Sequence, residues 1–174
     1  KKVVYNFRQN DLKNGGQGAP LAPIFHNAMV NKYLNKELNK SYSIDVLNIG
    51  GIANITKTIK WENFSSLSNS KNLIASDISP GNCLIDEWVR KNSKKKYDKD
   101  GLLASAGKSD DLILNQALEN FNIDSHYEES LDINDFDISF AKGLSLENGA
   151  STLTDFTATQ ITKALFYFRG SSKN

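Results

Sequence analysis

The chain has 174 residues and a formal net charge of +1, with 39% hydrophobic and 24% charged residues. This composition is typical of a globular protein with an apolar core, and the near-zero charge does not predict binding to nucleic acid or to an acidic membrane surface. The one cysteine, Cys83, excludes an internal disulfide or a cysteine-based metal cluster in this chain and fits a reduced, cytoplasmic setting. The chain contains no apolar run long enough to cross a bilayer.

The first third of the chain predicts a strand, a loop and a helix. Residues 3–7 read as a short β-strand, and because there is no initiator methionine, this opening indicates a fragment of a longer protein. A glycine-rich loop follows at residues 14–18, and Pro20 begins a helical pattern. The apolar positions of that helix recur at spacings of three and four, at Leu21, Phe25, Ala28, Met29 and Tyr33.

The middle of the chain predicts a β-hairpin and a third strand. Residues 43–49 and 52–59 read as strands joined by a tight turn at Gly50–Gly51. Residues 62–72 are polar and predict an exposed loop. A short strand at 73–77 is then ended by Pro80–Gly81.

The remainder predicts helices. Asn82 is a candidate N-cap for a helix with Leu84, Ile85, Trp88 and Val89 on its apolar face, and the basic run 91–96 predicts its solvated end. Ser109 is a candidate cap for the next helix, residues 124–140 predict irregular structure, and residues 152–168 predict a last helix. Strands mixed with helices in this order predict an α/β fold with a mixed sheet.

Two segments could carry phosphate chemistry. Gly50–Gly51, flanked by Asn48 and Asn54, exposes backbone N–H groups that could cradle phosphate oxygens, although Gly-Gly is also common in plain hairpin turns. Asp77 precedes a turn and a helix N-terminus, where a carboxylate could deprotonate a hydroxyl or water held near a phosphate. The alternative is that Asp77 only caps a turn.

Three further features favour structural roles. The loop at residues 14–20 lacks the Gly-Lys-Ser/Thr of a Walker loop, so it either contacts a sugar or turns the chain. His26 is a lone histidine on a helix, which more often has a structural partner than a ligand. Residues 97–101 carry two aspartates without the rest of a calcium loop, so we expect a structural turn and no direct metal site.

Taken together, the motifs resemble one family, the anhydro-N-acetylmuramic acid kinases. The resemblance is carried, in the family's order, by Phe7-Arg8, Asp11, residues 15–21, Pro23, Phe25-His26, residues 46–54, Asp77, residues 80–82, Asp86, Trp88, residues 97–101 and residues 149–154. It implies an α/β sugar kinase of the actin, hexokinase and Hsp70 class, which has a ribonuclease H-like fold, here only in part. Residues 1–42 would end the N-terminal kinase domain, and residues 43–174 would form an incomplete C-terminal domain.

The resemblance also implies the chemistry. Such enzymes use ATP and magnesium to open the 1,6-anhydro bond of anhydro-N-acetylmuramic acid and phosphorylate it to N-acetylmuramic acid 6-phosphate in cell-wall recycling. Asp77 matches the catalytic base. The implied phosphate or nucleotide contacts are Asn48, Gly50, Gly51, Asn54, Gly81 and Asn82, and the implied sugar-side contacts are Arg8, Gly16, Gln17 and Gly18. The expected partners are the sugar and ATP, with no nucleic acid or membrane, and a homodimer is left open.

The chain departs from the family in a few places. Asn6 stands where the family usually has an acid, Ser79 stands where it usually has a glycine, and residues 130–136 match only loosely. The family's first phosphate loop and its C-terminal adenosine-contacting segment are not in this sequence, so we expect the fragment alone to be inactive. Two alternatives follow: a non-catalytic relative that binds a muropeptide sugar, and a glycoside hydrolase using Asp77 with an unidentified second carboxylate.

Overall fold

A computed structural model describes residues 2–16, 18–19, 21–33, 44–58, 73–121 and 130–170. Six α-helices and three strands lie in these ranges. They are α1 (Phe7–Lys13), α2 (Pro23–Tyr33), β1 (Asp45–Ile49), β2 (Ile52–Lys57), β3 (Ile74–Pro80), α3 (Cys83–Asn92), α4 (Leu102–Ala106), α5 (Asp111–Asn120) and α6 (Leu146–Gly170). The chain divides into two compact units, one of residues 1–48 and 54–77 and the other of residues 49–53 and 78–174.

The three strands form one antiparallel sheet in the order β1-β2-β3. The predicted hairpin is present, with Gly50 and Gly51 as the turn between β1 and β2. The third strand is longer than predicted, because it continues past Asp77 to Pro80. The mixed α/β class is therefore as predicted, and the loop predicted at 62–72 lies outside the described residues.

In the first unit, the strand predicted at residues 3–7 is wrong. Residues 2–6 belong to no strand, and α1 begins at Phe7, after Asn6 adopts a left-handed φ of 66°. Val3, Val4 and Tyr5 have 77%, 75% and 78% of their surface exposed, so no described strand covers them. Side chains that favour strands do not make a strand by themselves, since a strand also needs a neighbour to pair with its backbone N–H and C=O groups.

Helix α2 begins three residues later than the predicted start at Pro20, and it turns a different face inward. Pro23 and Asn27 are buried, whereas Phe25 and Met29 of the predicted apolar face are 62% and 42% exposed. His26 Nδ1 lies 3.0 Å from Thr56 Oγ1 on β2, within the same unit, so the histidine has a structural partner.

The second unit is built on the packing of α3 against α6. Trp88 Nε1 donates to the Leu146 carbonyl at 2.9 Å, and a Cβ on Gly149 would lie 2.2 Å from the Trp88 ring. The close approach of the two helices therefore depends on glycine at position 149. The core of this unit also contains Leu84, Val89, Leu103, Phe136, Ala150, Leu153 and Phe156.

Two helix starts in the second unit differ from the predictions. Asp110, not Ser109, caps α5, because its carboxylate accepts the N–H groups of Leu112 and Ile113. Helix α6 begins at Leu146, six residues before the predicted start at Thr152. Within the described residues, no helix is both long enough and apolar enough to cross a membrane.

Candidate functional site

The Gly50–Gly51 turn is held by the start of α3. The N–H groups of Gly81 and Cys83 donate to the Gly51 carbonyl at 2.8 and 3.2 Å, and the Asn82 N–H donates to the Gly50 carbonyl at 2.7 Å. A Cβ on Gly81 would lie 2.2 Å from the Gly50 carbonyl oxygen, so this contact requires glycine. The structure thus brings the two predicted phosphate segments together.

This contact changes what the start of α3 can offer a ligand. The backbone N–H groups of Gly81 and Asn82 already have acceptors. The Asn82 side chain does not cap α3, and its amide lies 3.3 Å from the Gly50 carbonyl oxygen instead. Both residues therefore support the turn, and direct phosphate contacts from them stay a prediction.

The turn itself keeps free donors. Within the described part of the chain, the N–H groups of Gly50 and Gly51 have no hydrogen-bond acceptor. Gly51 has no atom within 4 Å of an added Cβ, and its φ lies outside the left-handed region. Folding therefore does not require glycine at position 51, whereas close approach of a ligand to the backbone would. Of the flanking predicted contacts, Asn48 is exposed on β1 and Asn54 is half-buried on β2.

Asp77, the predicted catalytic acid, lies within β3 and not at its end. Its exposed fraction is 6%, and Ser76 beside it is buried to the same extent. A carboxylate in such surroundings is largely shielded from bulk water, which strengthens its interaction with any polar group it meets. Ser79, the departure from the family pattern, is fully buried, and its hydroxyl donates to the Pro80 carbonyl at 2.9 Å.

A cavity of about 430 Å³ opens beside Asn82 in the second unit. Its lining residues come from α3, the 97–101 segment, α4 and α6: Asn82, Ile85, Asp86, Tyr97, Asp98, Gly101, Ala104 and Thr154. Asp98 accepts the N–H groups of Leu103 and Ala104 at 2.8 and 2.9 Å, so the predicted structural turn is present and fixes α4. The two charged side chains in the lining are carboxylates, which disfavours an anionic group in this cavity.

The glycine-rich loop of the first unit is organised by Asp11. The Gly18 N–H donates to Asp11 Oδ2 at 2.7 Å, and Arg8 Nε donates to the Gly18 carbonyl at 3.0 Å. A Cβ on Gly16 would collide with the Asp11 carboxylate. Three predicted sugar-side residues therefore meet around Asp11, while Gln17 lies outside the described residues.

Asp11 is the residue that the site prediction missed. It stood in the motif that carries the resemblance, seven positions before Gly18, but its link to the loop is a tertiary contact that spacing does not reveal. Asn6, the other departure from the family, donates from its side chain to Gln9 at 2.7 Å at the start of α1. Its side chain is thus engaged within its own helix.

Two further observations concern the cysteine and possible metal ligands. Partial burial raises the pKa of the Cys83 thiol, so this side chain at the start of α3 is less reactive than an ordinary cysteine. Among the described residues, no group of three or more His, Cys, Asp or Glu side chains could hold a metal ion.

The described helices and strands form part of an α/β protein of the actin-like sugar kinase class. The sequence profile of the family described as anhydro-N-acetylmuramic acid kinase matches residues 1–173, and the chain therefore belongs to this family. A relative named anhydro-N-acetylmuramic acid kinase from Pelagibacter ubique is 50% identical over 175 residues, covering 100% of this chain and 44% of the relative.

More distant relatives carry the same name. The one from Rhizobium rhizogenes is 38% identical over 164 residues, covering 94% of this chain and 40% of the relative. The one from Zymomonas mobilis is 38% identical over 166 residues, covering 95% of this chain and 41% of the relative. The chain thus spans less than half the length of these curated relatives.

Proposed function

We propose that the full-length protein is an ATP-dependent kinase that hydrolyses the 1,6-anhydro bond of anhydro-N-acetylmuramic acid and phosphorylates the sugar. The product would be N-acetylmuramic acid 6-phosphate, and the setting would be cell-wall recycling in the cytoplasm. Family membership supports the reaction class. The observation that carries the proposal for this chain is the Gly50–Gly51 turn, whose N–H groups are free among the described residues while its carbonyls are held by α3.

The turn suits the phosphates of ATP. Backbone N–H groups are donors of fixed direction, and a turn that presents them can bind phosphate oxygens without any positive side chain. The open space around Gly51 would let a phosphate approach the backbone closely. Bound ATP would supply the phosphoryl group, and magnesium would accompany its phosphates, with no direct protein ligand assigned to the metal.

Asp77 is proposed as the general base. Neutral water is a poor nucleophile, and a positioned carboxylate can take its proton as it attacks the anomeric carbon. The bond from that carbon to the bridging oxygen breaks, and the freed oxygen at carbon 6 accepts the γ-phosphoryl group as its bond to the β-phosphate oxygen breaks and ADP leaves. The burial of Asp77 supports this role, because bulk water competes less with the reacting water for hydrogen bonds to a shielded carboxylate.

The cavity beside Asn82 is proposed to take the ribose side of ATP. Its volume of about 430 Å³ lies in the range of small-molecule sites. Asp86 pairs with Arg90 at a distance of 4.0 Å, too long for a hydrogen bond, so its carboxylate can still accept from a ribose hydroxyl. The acidic lining would reject the phosphates, which are instead proposed to lie at the Gly50–Gly51 turn.

The Asp11-centred loop is proposed as a sugar-side element. Arg8 supplies a guanidinium that can face the carboxylate of the muramic acid side chain, and its bond to the Gly18 carbonyl limits its motion. Gly16 and Gly18 have no side chains, so they place no bulk beside the Arg8 guanidinium. The predicted contact of Gln17 is part of the same proposal.

The test is turnover by the full-length protein. Incubation with ATP, magnesium and the anhydro sugar should release ADP and one equivalent of the sugar phosphate, measured by coupled assay and mass spectrometry. Consumption of the sugar without ATP would indicate a glycoside hydrolase. Sugar binding without ADP release would indicate a non-catalytic binding protein. Either result would overturn the proposal.

A further inference from the structure

Helix α6 reaches the candidate phosphate turn through the side chain of Thr157. The Thr157 hydroxyl donates to the Gly81 carbonyl at 3.3 Å, across 76 positions of sequence, and both groups are buried. Three other threonines of α6 behave differently, since each of the three donates to the carbonyl four residues earlier in its own helix. These are Thr152, Thr154 and Thr162. Threonines in helices commonly bond to a carbonyl of their own helix, so the bond from Thr157 to a residue outside α6 calls for a separate reason.

The Gly81 carbonyl and the Asn82 N–H belong to one peptide group. Because that group is planar and trans, its carbonyl and its N–H point in opposite directions. The carbonyl accepts from Thr157, and the N–H donates to the Gly50 carbonyl at 2.7 Å. One rigid plane is therefore held at one end by α6 and at the other end by the turn.

The same geometry repeats one step further along. The Gly50 carbonyl and the Gly51 N–H also share a planar peptide group. Since the Gly50 carbonyl is directed at the Asn82 N–H, the Gly51 N–H points away from α3. The space beside Gly51 is open. Two hydrogen bonds and two peptide planes thus connect the Thr157 hydroxyl to the free N–H of Gly51.

Aligned hydrogen bonds polarise one another. A donor that binds the carbonyl of a peptide group strengthens the N–H of the same group as a donor. In this chain each bond withdraws electron density in the same sense, from the Gly51 N–H towards the Thr157 hydroxyl. The hydroxyl therefore both orients the Gly51 N–H and makes it a better donor to an anion.

We propose that Thr157 is a positioning residue for phosphate binding, which acts through the Gly81–Asn82 and Gly50–Gly51 peptide groups on the Gly51 N–H. The inference rests on the proposed function of the turn. Its size should be moderate, because 3.3 Å is longer than the usual distance between two hydrogen-bonded oxygens.

The first test uses matched threonine variants of the full-length protein. Thr157→Val removes the hydroxyl and keeps the shape, and we expect the KM for ATP to rise about three- to tenfold while the KM for the sugar changes less than about twofold. Thr157→Ser restores a hydroxyl and should recover most of the ATP affinity. Thr152→Val is the control, because Thr152 is also buried on α6 but bonds to Asn148 and Asp110.

Equal effects of Thr157→Val and Thr152→Val on the KM for ATP would overturn the inference, since they would indicate a general loss of stability. So would a Thr157→Ser variant as impaired as Thr157→Val. In both cases the KM values of the variants are compared with those of the active wild-type protein.

The second test does not depend on turnover. In full-length protein labelled with ¹⁵N-glycine, the Gly51 amide resonance should shift in Thr157→Val and stay in place in Thr152→Val. An unmoved Gly51 resonance in Thr157→Val would overturn the inference whatever the activity. A shifted resonance in a protein without kinase activity would support the link from α6 to the turn and contradict only the proposed function.

Discussion

At the residue scale, Gly51 and Gly81 are glycines for different reasons. The proposed ligand would need glycine at position 51, whereas the fold needs glycine at position 81. We expect Gly51→Ala to fold with an unchanged melting temperature and to bind ATP at least about tenfold more weakly, because the new methyl would occupy the space proposed for phosphate. Thermal unfolding and ATP titration of the full-length variant measure both effects. Unchanged ATP affinity would remove Gly51 from the site.

Gly81→Ala is the matched comparison. Its new Cβ would lie 2.2 Å from the Gly50 carbonyl oxygen, which is backbone and cannot rotate away. We expect a loss of stability of about 1–3 kcal/mol, as for other overpacked sites. Denaturant unfolding measures it, and a variant as stable as the wild type would contradict the observed contact between the turn and α3.

Cys83 gives a pH prediction at the same scale. Partial burial raises its folded pKa above the ordinary value of 9.0, so the thiol's contribution to stability is complete below pH 9 and is lost as the pH rises further. Cys83→Ser should flatten this alkaline part of the stability curve, measured as unfolding free energy between pH 8 and pH 10. Identical curves for the two proteins would contradict the raised pKa.

At the element scale, the contact between α3 and α6 is set by Trp88 and Gly149. Helix propensity alone would favour alanine at position 149 by about 1 kcal/mol. We expect Gly149→Ala to destabilise instead, by about 1–3 kcal/mol, because its Cβ would lie 2.2 Å from the Trp88 ring. Denaturant unfolding decides the sign.

The control for Gly149→Ala is Trp88→Phe, which removes the ring atoms that the new methyl would meet. The double variant should be less destabilised than the sum of the two single variants, whereas simple additivity would show that the collision does not limit the packing.

The same scale shows how far the sequence predicts the fold. The hairpin, its Gly50–Gly51 turn and α3 follow from local signals, namely paired glycines between β-rich runs and apolar positions at helical spacing. The strand expected at residues 3–7 does not form, because pairing depends on a distant neighbour. The roles of Asp11 and Thr157 could not be predicted from the sequence either, because each depends on a tertiary hydrogen bond.

At the scale of the whole molecule, the chain matches less than half the length of its kinase relatives. It covers 44% of the Pelagibacter ubique relative, so the activity is proposed for the full-length protein, and the inactivity of this segment by itself stays a prediction. The expected domain division at residues 42 and 43 stays a prediction. We propose that this chain contributes a backbone turn for phosphate and the carboxylate of Asp77 to the reaction.

The most direct measurement of that contribution is the turnover of the full-length Asp77→Asn variant with ATP and the anhydro sugar. Asparagine keeps the shape of the side chain and removes the base, so the account predicts a fall in kcat of about 10²- to 10⁴-fold with both substrates still bound. Asp111→Asn, on the exposed first turn of α5, serves as the control and should turn over like the wild type. An Asp77→Asn protein that phosphorylates the sugar at the wild-type rate would contradict the assignment of Asp77 as the base.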